Sequence, residues 1–440
     1  MEKLFTEFKG ITNEQWKEQI IKDLKGIDFN TLTWHTQNEF DVKPFYTAED
    51  IADNTKPIFA HLDWDICERI EVTDEKQANH QALQALQKGA SGLVFYIHKK
   101  INTALLIKDI SLEHVYSEFI ISNDALHVLS DLKNEYGKIN SFEEKIKCFV
   151  SIDPIHLFAY YGEWHQSQEK DLETLKKLIH IPVNASLYQE AGSNQVNELA
   201  FALAHCNEYF NYLNEAKVLS DKLIHVTFSI GGDFFTEIAK LRALRKLMNL
   251  LQEQYQTHFP LHIHCKTSQL NKSEKDAYTN LLRSTTEAMS AVIGGTDSLS
   301  ISPYDDSFSE ANEFSSRMAI NQHHILKDES YLNKVEDIAT GSYYIESLSE
   351  QLAEKAWLKF KELETKGGFI ASLNSGFIQE TIESDFNFIS KTYKENKAIL
   401  IGVNKYQNTT ETKQTLKKRD VSANGKNIKR ILPKRLTELF

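Results

Sequence analysis

What this chain lacks bounds it first. Its four cysteines, Cys67, Cys148, Cys206 and Cys265, are widely spaced and form no CxxC pair. That argues against a disulfide framework and a structural zinc site, and it suits a reducing compartment. No stretch of about 18 apolar residues occurs, and the charged N-terminus has no signal-like apolar run. Membrane spanning and secretion are therefore not expected, and the expected location is the cytoplasm. An excess of positive charge is also missing: the formal net charge is -12, which argues against nucleic acid as the main partner. No glycine-rich phosphate loop supports a doubly wound nucleotide-binding sheet. No Ser-His-Asp or Cys-His arrangement is readable.

What remains is ample core. The chain has 440 residues, 41% of them hydrophobic, with 25 Phe and 17 Tyr, enough for one large domain with appendages. Residues 1–50 read as an arm. Thr12 to Gln15 forms a capping box, and Trp16, Ile20, Ile21 and Leu24 make an apolar stripe at helical spacing. Residues 28–50 lack periodicity, as in a segment laid across its own domain or a partner chain.

Residues 51–404 alternate short β-rich runs with amphipathic helices. Candidate strands are Pro57–Leu62, Gly92–Ile97, Ser117–Ile121, Lys147–Ile152, Val183–Leu187, Leu223–Phe228, Leu261–Cys265 and Ser298–Ile301. Helical patterns cover Asn194–Tyr212, Phe234–Leu251, Lys275–Ile293 and Asn312–Lys327. Eight strands alternating with helices predict an α/β fold, a (β/α)8 TIM barrel with an N-terminal arm and a C-terminal extension. Residues 405–440 form a basic tail, ten Lys or Arg against three acidic residues, read as solvated or docking. Ile428, Ile431, Leu432, Leu436, Leu439 and Phe440 give its end an apolar side.

The centre of such a barrel should carry chemistry, and here it is blunted. Where a reactive side chain would project, the segment Ile181 to Gly192 offers Leu187 and Tyr188. His262 and His264 alternate on one strand and share a face with Lys266. They fit a polar barrel lining, an anionic pocket or packing, with no third metal ligand at a suitable spacing. His323 and His324 adjoin on a helix, cannot share a face, and read as surface or interface residues. Asp305 and Asp306 follow the last candidate strand, where barrel enzymes act; a general base, a ligand orienter and a capping turn all fit. Glu190, after Gln189, is a candidate functional acid. Asp233 reads as the N-cap of the helix from Phe234, and Glu237, Lys240 and Arg242 as ordinary salt bridging. Gly294–Gly295 and Gly367–Gly368 read as helix stops. Cys265 points away from His264, and Cys67 stands beside Glu68 and Arg69, a cation able to lower its pKa.

Several longer motifs resemble the methylmalonyl-CoA mutase family. They are Asp233-Phe-Phe-Thr-Glu-Ile-Ala-Lys-Leu-Arg-Ala-Leu-Arg-Lys-Leu, His264-Cys-Lys-Thr-Ser, Asp276-Ala-Tyr-Thr-Asn-Leu-Leu-Arg-Ser-Thr-Thr-Glu-Ala-Met and Gly294-Gly-Thr-Asp-Ser-Leu. Gln189-Glu-Ala-Gly, Gly341-Ser-Tyr and Gly402-Val-Asn-Lys-Tyr-Gln extend the likeness, which runs over roughly residues 40–407. It implies a barrel that, in active members, threads the pantetheine of a CoA ester through its centre. Such members carry a C-terminal cobalamin domain and isomerise succinyl-CoA and (R)-methylmalonyl-CoA through adenosylcobalamin radicals.

The departures fall on the active site that the resemblance implies. Leu187 takes the place of the reactive histidine and cannot donate a hydrogen bond. Within Trp64-Asp-Ile-Cys-Glu-Arg-Ile-Glu, Cys67 replaces an arginine that meets the CoA ester, and Arg69 a tyrosine that packs between substrate and corrin. The Arg-Gly-Tyr-Asp-Ser loop has no counterpart near His98. The Thr-Ile-Gln-Asn element is missing from Cys148–Pro154, and Leu270 replaces a tryptophan. No cobalamin signature occurs, and no cobalamin-binding domain is expected before Phe440.

The resemblance therefore implies no catalytic, cofactor-binding or metal-binding residue on this chain. It points to the small, or beta, subunit of the heterodimeric enzymes. Adenosylcobalamin and the CoA ester are then expected on a large, or alpha, subunit, bound 1:1 and wrapped by the arm. Two other readings stay open: a CoA-ester-binding chain of a split acyl-CoA mutase with its cobalamin domain elsewhere, and a transient mutase chaperone or regulator.

Overall fold

The computed structural model of the chain describes all residues except 1–5, 8, 52–55, 123–125, 137–147, 221, 311, 409, 411–413, 420–421 and 423. Strands β1 (Trp34–His35) and β2 (Asp41–Val42) make a small antiparallel ribbon in the arm. The rest of the strands are β3 (Asp65–Glu71), β4 (Gly92–Ile97), β5 (Tyr116–Ile121), β6 (Cys148–Ser151), β7 (His180–Asn184), β8 (Leu223–Ile230), β9 (Leu261–Thr267) and β10 (Ser298–Ser300). All eight pair in parallel, in the order β6-β5-β4-β3-β10-β9-β8-β7. First and last meet, Asp65 opposite Ser298, which makes a nearly closed (β/α)8 barrel flanked by helices.

Side chains stitch the remaining seam between β6 and β7. Asp153 Oδ2 accepts from the Asn184 amide at 2.6 Å, and Ser151 Oγ lies 3.2 Å from His180 Nε2. Burial works to raise the Asp153 pKa, but His205 and His156 reverse this and hold it at about 2.

Period-two alternation sorts the strand residues. On β8, Ile224, Val226 and Phe228 join the main core under the helices, while His225 and Thr227 turn toward the axis. The first strand is a correction. The sequence favours Pro57–Leu62, whereas the strand is Asp65–Glu71, four of whose seven residues are charged. Ile66 and Ile70 supply its apolar face, and its charges find partners only in three dimensions.

The expected helices form as Gln195–Glu215, capped by Asn194, and as Phe234–Gln254, Thr279–Ile293 and Glu313–His324. Between them the salt bridging is not ordinary surface pairing. Lys240, fully buried, meets Glu198 at 2.8 Å and Glu237 at 2.6 Å, and buried Arg242 pairs with Asp337 and Glu346. Gly294 ends one helix. Gly367 and Gly368, both at positive φ, separate the helix Tyr343–Thr365 from the next.

Among its described residues, the arm is anchored through the stretch around Asn38. Asn38 donates to Gln195 Oε1 at 3.0 Å and accepts from the Val196 amide at 3.2 Å. The helix Asn13–Asp23 has the capping box that the sequence predicts, Thr12 with Gln15, yet buries none of its residues. The tail folds back on the barrel, burying Ile428, Ile431 and Leu436. No described helix is long and apolar enough to cross a membrane.

Candidate functional site

The barrel axis is filled by aromatic and imidazole rings. Tyr116 stacks on His262 (centroids 5.3 Å apart, planes 11° from parallel) and on His264 at 6.3 Å. Phe149 packs against His180, His225 and His262 at 5.4, 5.1 and 5.5 Å. Hydrogen bonds link polar groups within this column. The Tyr116 hydroxyl lies 2.9 Å from His225 Nε2, and Ser298 Oγ serves His262 at 2.9 Å and His264 at 2.8 Å. Ser151 donates to Glu118 at 2.7 Å. Burial pushes His264 down to about 3 and His180 well below its ordinary value, so both are neutral near pH 7. Of the readings open for His262 and His264, the structure takes the polar lining. Among the described residues no three His, Cys, Asp or Glu are placed to hold a metal ion.

A layer of ion pairs caps this column at the C-terminal ends of the strands. Arg69 reaches Glu71 at 2.7 Å and Asp306 at 3.3 Å and lies over the Tyr96 ring. Lys266 pairs with Glu190 at 3.0 Å, and Glu190 also accepts from Ser229 at 3.0 Å. Burial opposes the Lys266 charge, but Glu190 and Tyr96 together outweigh it and leave the pKa raised. Asp306 receives Gln269 as well, at 3.1 Å. Glu190 and Asp306 are thus spent on neutralising cations. Asp305 has a turn role instead, accepting from Asn312 at 2.7 Å.

Among the described residues little space is seen on the axis. The cavity among Glu118, Ser151, Asp153, His156, His225 and Thr227 measures about 30 Å³, room for a water or two and far short of the ~300–1,000 Å³ of organic ligand sites. An open groove of about 630 Å³ lies off the axis, beside His98, Ser122, Tyr160, Trp164, Lys426 and Arg430. Its cations are engaged: Arg430 donates to the Tyr160 and Ser422 carbonyls, and Lys426 meets Glu163 at 3.6 Å.

The family model described as methylmalonyl-CoA mutase matches residues 97–437. The methylmalonyl-CoA mutase small subunit of Porphyromonas gingivalis is 33% identical over 444 residues, covering 93% of this chain and 72% of that protein. The chain belongs to the methylmalonyl-CoA mutase family. The methylmalonyl-CoA mutase small subunit of Streptomyces virginiae is 27% identical over the same shares. The methylmalonyl-CoA mutase of Rhizobium meliloti is 27% identical over 90% of this chain, which spans 64% of that relative.

Three of the positions at which the resemblance implies a departure are built into packing. Leu187 is not at a strand end. Strand β7 stops at Asn184, and Leu187 sits on the short helix Ser186–Glu190, 2% exposed in the main core. Cys67 belongs to the axial cluster with Val94, Tyr116 and Phe149. Leu270 packs against Leu400, Val403 and Leu436 of the C-terminal extension. His323 is another correction: it is buried, accepting from Trp64 Nε1 at 3.1 Å, while His324 reaches the Lys88 carbonyl. Their helix lies against β3, so one of two adjacent residues must face inward. Asp233 stands at the N-cap position, pushed up to about 6 by burial.

Sequence reasoning missed Tyr116, Phe149, His180 and His225, the bulk of the axial plug. The signal was present in the strand register, which places His225 directly opposite His262.

Proposed function

We propose that this chain is the non-catalytic small (beta) subunit of an adenosylcobalamin-dependent methylmalonyl-CoA mutase, stabilising a large (alpha) subunit that interconverts succinyl-CoA and (R)-methylmalonyl-CoA. The observation that carries the reading is the filled axis, where Tyr116, Phe149 and four histidines occupy the path a pantetheine chain would need. Nor do the residues at the mouth fit a corrin. Arg69 pairs with Asp306 and Lys266 with Glu190, which leaves these side chains engaged with one another rather than with a cofactor.

The arm (1–50) is the surface for the partner, the barrel (51–404) the scaffold and residues 405–440 the tail. Trp16, Ile21, Ile27, Leu32 and Trp34 are exposed in the arm, more apolar surface than a lone chain benefits from showing water. The expected assembly is a 1:1 heterodimer in the cytoplasm, in keeping with four free, buried cysteines.

The test is to purify the chain with and without the large subunit and to measure mutase turnover and corrinoid content. Activity and corrinoid should follow the large subunit, in a stable 1:1 complex. Turnover or stoichiometric corrinoid on this chain alone overturns the reading, and the lack of a stable complex on gel filtration favours a transient helper.

A further inference from the structure

The C-terminal tail is fastened at the exits of four barrel strands. Beyond β6, the Asn427 and Ile428 amides donate to the Gly162 carbonyl at 2.9 and 3.1 Å, and Ile431 donates to Ala159 at 2.8 Å. Beyond β7, the Lys434 amide donates to Glu190 at 2.7 Å. Beyond β9, Leu436 donates to Leu270 at 2.8 Å and Thr437 Oγ1 to Glu274 at 2.7 Å. Beyond β10, the Lys417 amide donates to Ser307 at 2.9 Å and its ammonium lies 3.7 Å from Asp306. In the ring order β10 lies opposite β6, so these anchors lie on both sides of the mouth. Arg435, donating to the Lys417 carbonyl at 3.2 Å, ties the two parts of the tail together.

This attachment is built into the sequence at close quarters. A Cβ on Gly162 would lie 2.6 Å from Gly425 Cα, and one on Gly425 would lie 2.5 Å from Gly162 Cα, so the two backbones touch only because both residues are glycine. The anchors also coincide with the mouth ion pairs. Glu190 accepts the tail with its carbonyl and Lys266 with its carboxylate, and Asp306 holds Arg69 and Lys417 together.

We infer that residues 417–419 and 427–440, tied together by Arg435, form a strap that shuts the barrel mouth, so that access to the axis is set by release of the tail. The contacts lie within one chain, and the inference holds whatever partner the arm takes. Ser229, 0% exposed and bonded to Glu190, lies at the layer the strap covers and serves as a reporter.

The experiment follows DTNB labelling of the full-length chain carrying Ser229→Cys, first alone and then with Leu436→Ala and Thr437→Val. A milder companion carries Arg435→Ala, in case the double change unfolds the chain. With the strap intact, Cys at 229 should react as slowly as Cys148, Cys206 and Cys265, which are buried in the main core and report global opening. With the strap weakened, labelling at 229 should accelerate about tenfold or more while those three stay slow, the signature of local opening. Fast labelling with the strap intact overturns the inference. So does an unchanged rate after weakening it, or a uniform rise at all five thiols.

Discussion

Gly92 and Cys67 face each other across β4 and β3, and a Cβ on Gly92 would lie 2.5 Å from Cys67 Sγ. The axis thus has no space even for a methyl group at this level. Gly92→Ala should cost about 1–3 kcal/mol by overpacking. Adding Cys67→Ala should recover part of that loss, a coupling readable in urea midpoints as a double-mutant cycle. Strict additivity would mean that the two side chains do not compete for the same volume.

Leu187→His restores the residue type that the family resemblance implies at this position. Because Leu187 is buried in the apolar core, the change should cost roughly 1–3 kcal/mol. It should leave the isolated chain without mutase turnover, as measured by succinyl-CoA conversion with added adenosylcobalamin. Activity in that variant would show a site needing only one missing group.

The buried Lys240 ammonium lies between two acids, Glu198 at 2.8 Å and Glu237 at 2.6 Å. Burial raises the Glu198 pKa and Lys240 pulls it the other way, so removing the ammonium leaves both acids without their cation. Lys240→Met should lower stability by about 3–5 kcal/mol, seen as a lower thermal midpoint. Glu198→Gln in the same chain should reduce the penalty.

Acid should act through His264. Its folded-state pKa, about 3, lies below the ordinary 6.5 because of burial. The unfolded chain therefore binds the extra proton first, and stability falls as pH drops below about 6.5 toward 3. The loss from this residue between pH 7 and 4.5 is on the order of 2–3 kcal/mol. Glu68, raised to about 7 by burial, works in the opposite sense, losing stability as pH rises through its folded value. The measurement is therefore the difference in urea stability between the native chain and His264→Asn across that range. A difference independent of pH would sink the assignment.

Trp16→Ala should separate folding from association. Trp16 is half exposed, with Phe45 edge-on at 6.2 Å, so the isolated chain's stability should change by no more than about 0.5 kcal/mol. Under the proposed function, affinity for the large subunit should drop by about tenfold or more, measured by titration calorimetry.

The barrel was legible because β4 to β10 and their helices carry clean periodicities, and the shared face of His262 and His264 follows from strand alternation, although which face it is does not. Strand β3 was not legible. Asp65, Glu68, Arg69 and Glu71 look like loop charges until Asp306, from beyond the last strand, and Ser316, from a distant helix, come to meet Arg69 and Glu68. Leu187 was misplaced by a boundary of a few residues, which turned a core side chain into an imagined strand-end position. The plug was hidden for a different reason: Tyr116, Phe149 and His180 are ordinary residues one at a time, and only ring closure stacks them. His323 shows the same limit, since polarity could not reveal the Trp64 indole waiting for it.

The pairing of β3 with β10 also bears on how the chain is made. Asp65 finds Ser298 only after more than half of the polypeptide has been synthesised, and at about 5–20 residues per second that interval is roughly 10–50 s. Throughout it, β3 is an unpaired edge beside a growing half-ring. Its dense charge, which disguises it as a strand, is also what discourages nascent chains from adding to that edge.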